Sequence, residues 1–131
     1  MDSPSDASAE VKLSEDECVT LVMLATRGRV IYSSRGVPSA RPTQISLING
    51  CILFLGDGDD AIFEAARRHD VLSIQVDDAT VEAPTWSVTV TGRCAFADPE
   101  LAPASLRNTS NPDAAVLALP LTLISGRRKA I

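Results

Sequence analysis

The stretch Trp86-Ser87-Val88-Thr89-Val90-Thr91-Gly92-Arg93-Cys94-Ala95-Phe96 governs how the rest of the chain reads. Trp86, Val88, Val90, Cys94 and Phe96 fall on one face of an extended strand, and Ser87, Thr89, Thr91 and Arg93 fall on the other. That alternation predicts a strand with one buried and one wetter face. Gly92 interrupts the apolar face, which marks a bulge or a close approach of backbone. Upstream, Val71 to Val76 has the same β character, and Pro84 ends the loop between the two strands. Downstream, Val116 to Ile124 reads as a final strand, bent or exposed at Pro120.

Toward the N-terminus the pattern is of hairpins. Asn49-Gly50, between Ile48 and Cys51, suits the positive φ angles of a type I′ turn. It joins a strand over Ser39 to Ile48 to a return strand over Cys51 to Leu55. Pro42 puts part of the first strand on an edge or at a bulge. Val30-Ile31-Tyr32 is a further β-prone run before the turn-rich Ser34-Arg35-Gly36. Helices are short. Ser14 and Glu17 make a capping box, and Cys18, Leu21, Val22 and Ala25 repeat at helical spacing. A helix from Ser14 to Thr26, ended by Gly28, is expected. A second runs from Asp59, as N-cap, to Arg68, and Asp98-Pro99 opens a third. Residues 108–113 read as a loop. The sum is a mainly β chain: a small barrel of about six antiparallel strands with short helices. Residues 1–11 form a flexible tail and 12–131 the barrel domain.

With 131 residues and a net charge of −5, the chain fits one domain and has no basic footprint for nucleic acid. Its N-terminus lacks the pattern of a signal peptide, and no apolar run is long enough to cross a bilayer. The chain therefore reads as soluble and cytoplasmic, with no membrane partner. Three scattered cysteines and a single histidine give no zinc set. The cysteines read as small apolar residues in the reduced state. His69 reads as solvated or capping the end of the second helix rather than as a general base. No Walker loop, dinucleotide fingerprint or nucleophile elbow is present, so no residue receives a catalytic role and no metal is assigned. Arg127-Arg128-Lys129 reads as a solvated C-terminus, or as a contact to phosphate across a dimer interface. Trp86 reads as a core or interface aromatic, or as a wall for a flat cofactor ring.

Four segments in this order resemble the flavin-binding family related to pyridoxamine 5′-phosphate oxidase. They are Glu17-Cys18 with Gly28-Arg29-Val30-Ile31; Gly36-Val37-Pro38 running into Arg41-Pro42-Thr43-Gln44; Trp86 to Arg93; and Leu119-Pro120 through Ser125 to Arg128. The resemblance implies an FMN-binding split barrel that dimerises through a sheet face, with small-molecule sites at the interface of a homodimer. It implies that Arg41, Pro42, Thr43 and Gln44 line the flavin ring. It places the phosphate near Gly56 and the following helix, with Arg67 on that side, and Trp86 and Ser87 near the ring or the partner subunit.

Two departures from the family pattern bear on the cofactor. Pro42-Thr43-Gln44-Ile45 stands where the family usually has Pro-Val-Asn-aromatic, and Gln44 keeps the hydrogen-bonding capacity. Gly56-Asp57-Gly58-Asp59-Asp60-Ala61 stands where a hydroxyl residue and a lysine normally meet the phosphate. A carboxylate about 6 Å from a phosphate charge costs roughly 2–3 kcal/mol at an effective dielectric of ~20. A helix end returns only about 0.3–1 kcal/mol. Arg41, Arg67 or Arg68 would have to compensate. The expected function is that of a flavin-dependent oxidoreductase using FMN or a deazaflavin. The alternative is a split-barrel binding protein without tight FMN binding, which holds no flavin, another ligand such as haem, or a protein partner.

Overall fold

The computed structural model describes residues 9–58, 60–78, 85–107 and 111–130. The expectations for Asp59 and Pro84, for most of the tail and for part of the 108–113 loop lie outside these residues. In chain order the described elements are β1 (Glu10–Lys12), α1 (Glu15–Leu24), β2 (Arg27–Ser34), β3 (Val37–Gln44), β4 (Ser46–Ile48), β5 (Cys51–Asp57), α2 (Ala61–Arg68), β6 (Val71–Asp77), β7 (Trp86–Arg93), β8 (Ala95–Phe96), α3 (Ala104–Arg107), β9 (Ala114–Pro120) and β10 (Leu123–Lys129). The helix expected to open at Asp98-Pro99 is only a 3-10 turn, Pro99–Leu101, capped by the Asp98 side chain accepting from Glu100 N, and α3 follows it.

All strand pairs are antiparallel, in a six-stranded sheet ordered β1-β10-β7-β6-β2-β3 and a four-stranded sheet ordered β4-β5-β9-β8. This is the split barrel. The chain crosses between the sheets at Ile45, at Cys94 and at Leu121-Thr122, so three runs that read as single strands are each divided between two sheets. That division, with the short β1, is why ten described strands replace the expected six or so. Each crossing is pinned by backbone: Ile45 N donates to Thr26 O (3.0 Å), Cys94 N to Asp70 O (2.9 Å) and Leu121 N to Gly50 O (3.1 Å). Pro120 does not merely bend the last strand; it ends β9, and β10 carries Arg127-Arg128-Lys129 as part of the sheet rather than as a free tail. Gly92 is the expected close approach, since a Cβ there would lie 2.6 Å from the Pro120 carbonyl oxygen.

Turn and cap chemistry follows the sequence closely. Asn49 and Gly50 have φ of 51° and 75°, and Arg35 and Gly36 have 53° and 78°. Both pairs suit the primed turns of two-residue hairpins. Pro42 lies on β3, the edge strand, where a missing N–H is tolerated. Gly28 does not end α1. The helix stops at Ala25, which is already extended, and Gly28 sits within β2, where a Cβ would lie 3.0 Å from the Gln75 carbonyl oxygen. Ser14 Oγ accepts from Glu17 N (3.1 Å) and Glu17 Oε1 accepts from Ser14 N (3.0 Å), completing the capping box. The hydrogen bonds from Ser14 hold the Glu17 carboxyl below its ordinary pKa. Ser14→Ala is expected to lower stability by about 1 kcal/mol, read as a small fall in urea midpoint at unchanged slope.

The core lies between the sheets and is closed by α1 and α2. Phe54, Ile52, Ile74, Val88, Val90, Leu117 and Leu119 meet Cys18 and Val22 of α1 and Ile62, Ala65 and Ala66 of α2. A smaller cluster of Leu53, Ala102, Leu106 and Val116 packs under α3 on the other face of the four-stranded sheet. All three cysteines are free; Cys18 and Cys94 are buried and Cys51 is half-buried. Burial pushes the Cys94 thiol from its ordinary 9.0 up to about 12. The native state thus resists ionising this thiol while the unfolded chain does not, so its linkage lowers stability as pH rises above about 9. Thiol labelling of the native protein at pH 8 should modify Cys51 first, with Cys18 and Cys94 reacting only on unfolding.

Candidate functional site

Alternation along the strands divides the residues implicated by the sequence between two faces of the six-stranded sheet. Val30, Ile74, Val88 and Val90 face the core. Cross-strand register then puts Arg41, opposite Val30, and Thr43, opposite Gly28, on the inner side of the edge strand. Pro42 and Gln44 lie on the outer face, opposite Arg29 and Arg27. The outer face continues through Arg29 to Gln75 and Thr89, and Ser87 joins it between Asp77 and Arg127. Arg29 and Asp77 pair at 3.3 Å, and Ser73 and Thr91 hydroxyls hydrogen-bond at 2.7 Å. Arg29, Gln75, Asp77, Ser87 and Arg127 line an open cavity of about 360 Å³.

Trp86 has the opposite orientation to Ser87. It packs against the core and walls a largely apolar cavity of about 630 Å³ beneath α1, with Leu13, Leu21 and Arg128. Gly56 is buried, and a Cβ there would lie 2.7 Å from Leu117 Cδ1, so its lack of a side chain serves packing of β5 on β9. Arg67 sits in the last turn of α2, pairs with Glu64 at 3.3 Å and lies over the Phe63 ring. Arg68 pairs with Asp70 at 2.9 Å. His69 is exposed and caps α2 in the left-handed region (φ 58°), its N–H bonding to Ala65 and Ala66 carbonyls. Among the described residues no group of three or more His, Cys, Asp or Glu side chains could hold a metal ion.

Among the described residues, Arg41 is the arginine that meets the acidic loop. Its guanidinium donates a hydrogen bond to Asp60, lies 4.0 Å from Asp57, and stands 5.6 Å from the centre of the Tyr32 ring. The hydrogen bond to Asp60, outweighing partial burial, holds the Arg41 pKa above its ordinary value. Asp60, rather than the expected Asp59, is the N-cap of α2, and its Oδ1 accepts from Phe63 N at 2.7 Å. The loop is tight: Asp60 N donates to Asp57 O (3.0 Å) and Gly58 N to Asp113 O (3.2 Å). A phosphomonoester does not fit this helix end as it stands. The amide and the guanidinium that would bind it already share the carboxylate of Asp60, with Asp57 beside them.

Sequence reasoning placed Arg41 at the site and named it a compensating cation, but it gave no partner for it. It gave no site role to Tyr32, Arg29 or Gln75. The pairing of β2 with β6 brings Arg29 to Gln75, and no local motif announces a contact across that distance in sequence.

Residues 14–128 match the profile of the pyridoxamine 5′-phosphate oxidase family. An uncharacterised protein of Mycobacterium tuberculosis is 29% identical over 104 residues, which span 75% of this chain and 68% of that protein. Among solved structures, an FAD-binding protein from Mycobacterium smegmatis is similar at TM-score 0.69 and 24% identity, covering 93% of this chain and 100% of that one. An FAD-binding protein from Mesorhizobium loti is similar at TM-score 0.76 and 18% identity, covering 93% and 99%. At these identities what is shared is the fold.

Proposed function

Because this chain belongs to the pyridoxamine 5′-phosphate oxidase family, we propose that it is a flavin-binding split-barrel protein acting as an oxidoreductase. The observation that carries this reading is the family match along nearly the whole barrel, residues 14–128. The two solved structures described as FAD-binding add FAD to FMN and a deazaflavin as the cofactor to test. We assign the ring to the outer face of the six-stranded sheet. There Gln44, Gln75 and Ser87 supply donors and acceptors suited to the polar edge of a flavin, and Pro42 supplies an apolar surface. The bound flavin would bring the redox chemistry; the protein's part is to hold and orient it.

The same face exposes Ile31, Val71 and Leu123 among polar and charged residues, which favours a homodimer formed across it with the flavin at the interface. Free cysteines fit a reducing, cytoplasmic setting. No described helix is long and apolar enough to cross a membrane. The Arg41–Asp60 pair favours a second reading, a split-barrel protein that has lost tight FMN binding.

The protein purified without added cofactor should show a flavin-type visible spectrum. Alternatively, it should acquire one on incubation with FMN, FAD or a deazaflavin, with the retained species identified by mass spectrometry after heat release. A folded protein that stays colourless with all three would move the assignment to the second reading.

A further inference from the structure

We propose that Asp60 is a built-in occupant of the anion position at the head of α2. Its pairing with Arg41 makes the protein take its flavin without recognising a terminal phosphate there, a proposal that rests on the flavin-binding reading above. Asp60 uses both oxygens: Oδ1 accepts from Phe63 N and Oδ2 from Arg41. A phosphate oxygen seeking either donor has to displace a carboxylate that already satisfies both. Asp57 stands 4.0 Å from the same guanidinium and repels a second anion, while Asn111 donates to it at 3.4 Å. Arg41 lies over Tyr32 and leaves that contact if it swings outward. Arg67 and Arg68 are at the far end of the helix, engaged with Glu64 and Asp70.

The charge of the ligand sets the discrimination. A phosphomonoester carries about −1.5 to −2 near neutral pH. Riboflavin carries no phosphate, and each bridging phosphate of a dinucleotide, substituted by one ester and one anhydride bond, carries a single charge. The Asp60–Arg41 pair is therefore a specificity determinant against the phosphomonoester form of the cofactor.

The test titrates cofactor-free protein with riboflavin and with FMN, following flavin fluorescence. The wild type should bind the two within about twofold of each other. Asp57→Ser/Asp60→Ser keeps a hydroxyl to cap α2 and releases Arg41, so FMN should become favoured by about tenfold or more. Adding Arg41→Met should remove that preference. A wild type that prefers FMN by about tenfold, or a folded double variant with an unchanged ratio, overturns the proposal. A second arm needs no flavin. Inorganic phosphate at constant ionic strength should raise the Tm of the double variant and not that of the wild type or the triple variant. No rise in a folded double variant also overturns the proposal. Failure of every protein to bind either flavin, with the phosphate effect present, defeats the flavin reading and leaves the Asp60 assignment standing. Asp60→Asn, which still offers an acceptor to Phe63 N, replaces the double variant if that does not fold.

Discussion

Phe54→Ala should lower the unfolding free energy by about 3–5 kcal/mol. Phe54 is fully buried on β5, opposite Leu117 of β9, in the cluster that joins both sheets to α1 and α2. Truncating the ring removes the transfer free energy of a large aromatic side chain and leaves a cavity. The walls of that cavity are strands fixed by ladder hydrogen bonds, so collapse around it is limited. A domain of this size has about 5–15 kcal/mol to lose, so the variant should be only marginally folded. Urea unfolding followed by circular dichroism reads the change as a large drop in midpoint at nearly constant slope. A loss under about 1 kcal/mol would mean that this core is not packed as described.

Gly92→Ala should cost about 3 kcal/mol or more, although it adds a single methyl group. The added Cβ would lie 2.6 Å from the Pro120 carbonyl oxygen and 3.2 Å from Pro120 Cγ. A carbonyl cannot rotate aside as a side chain can, and Pro120 is held at the end of β9, where the chain leaves one sheet for the other. Gly36→Ala is the control. Gly36 has nothing within 4 Å of its would-be Cβ, so its cost is conformational, about 1–2 kcal/mol for a left-handed φ. Thermal unfolding of the two variants side by side separates collision from backbone preference. A Gly92→Ala protein no less stable than Gly36→Ala would contradict the close sheet-to-sheet contact.

Local chemistry was the legible part of this fold. Ser14 with Glu17, Asn49-Gly50 and the alternation through Trp86 to Arg93 each specify their structure within a few residues. The family resemblance, resting on short segments in order, supplied the barrel. The number of strands was not legible, because a sequence period does not record the point at which a strand changes partners. Ile45, Cys94 and Leu121-Thr122 sit at those points, and strand resumes directly on both sides of each. Gly28 misled for a related reason: a glycine after a helical pattern reads as a cap, yet here it admits the backbone of β6. At the site, the acidity of the loop after β5 was plain, but the way Arg41 answers it was not. Arg41 and Asp60 are 19 residues apart and meet only because β3 and the head of α2 converge in the folded barrel.

Equilibrium binding of riboflavin to the cofactor-free protein isolates recognition of the ring from any contribution of phosphate. A split barrel that receives the flavin on the outer face of its larger sheet should quench riboflavin fluorescence saturably, and Gln44→Leu with Ser87→Val should weaken binding without lowering Tm. Riboflavin fluorescence that stays unchanged at saturating protein, in a sample shown to be folded, would contradict flavin binding by this chain.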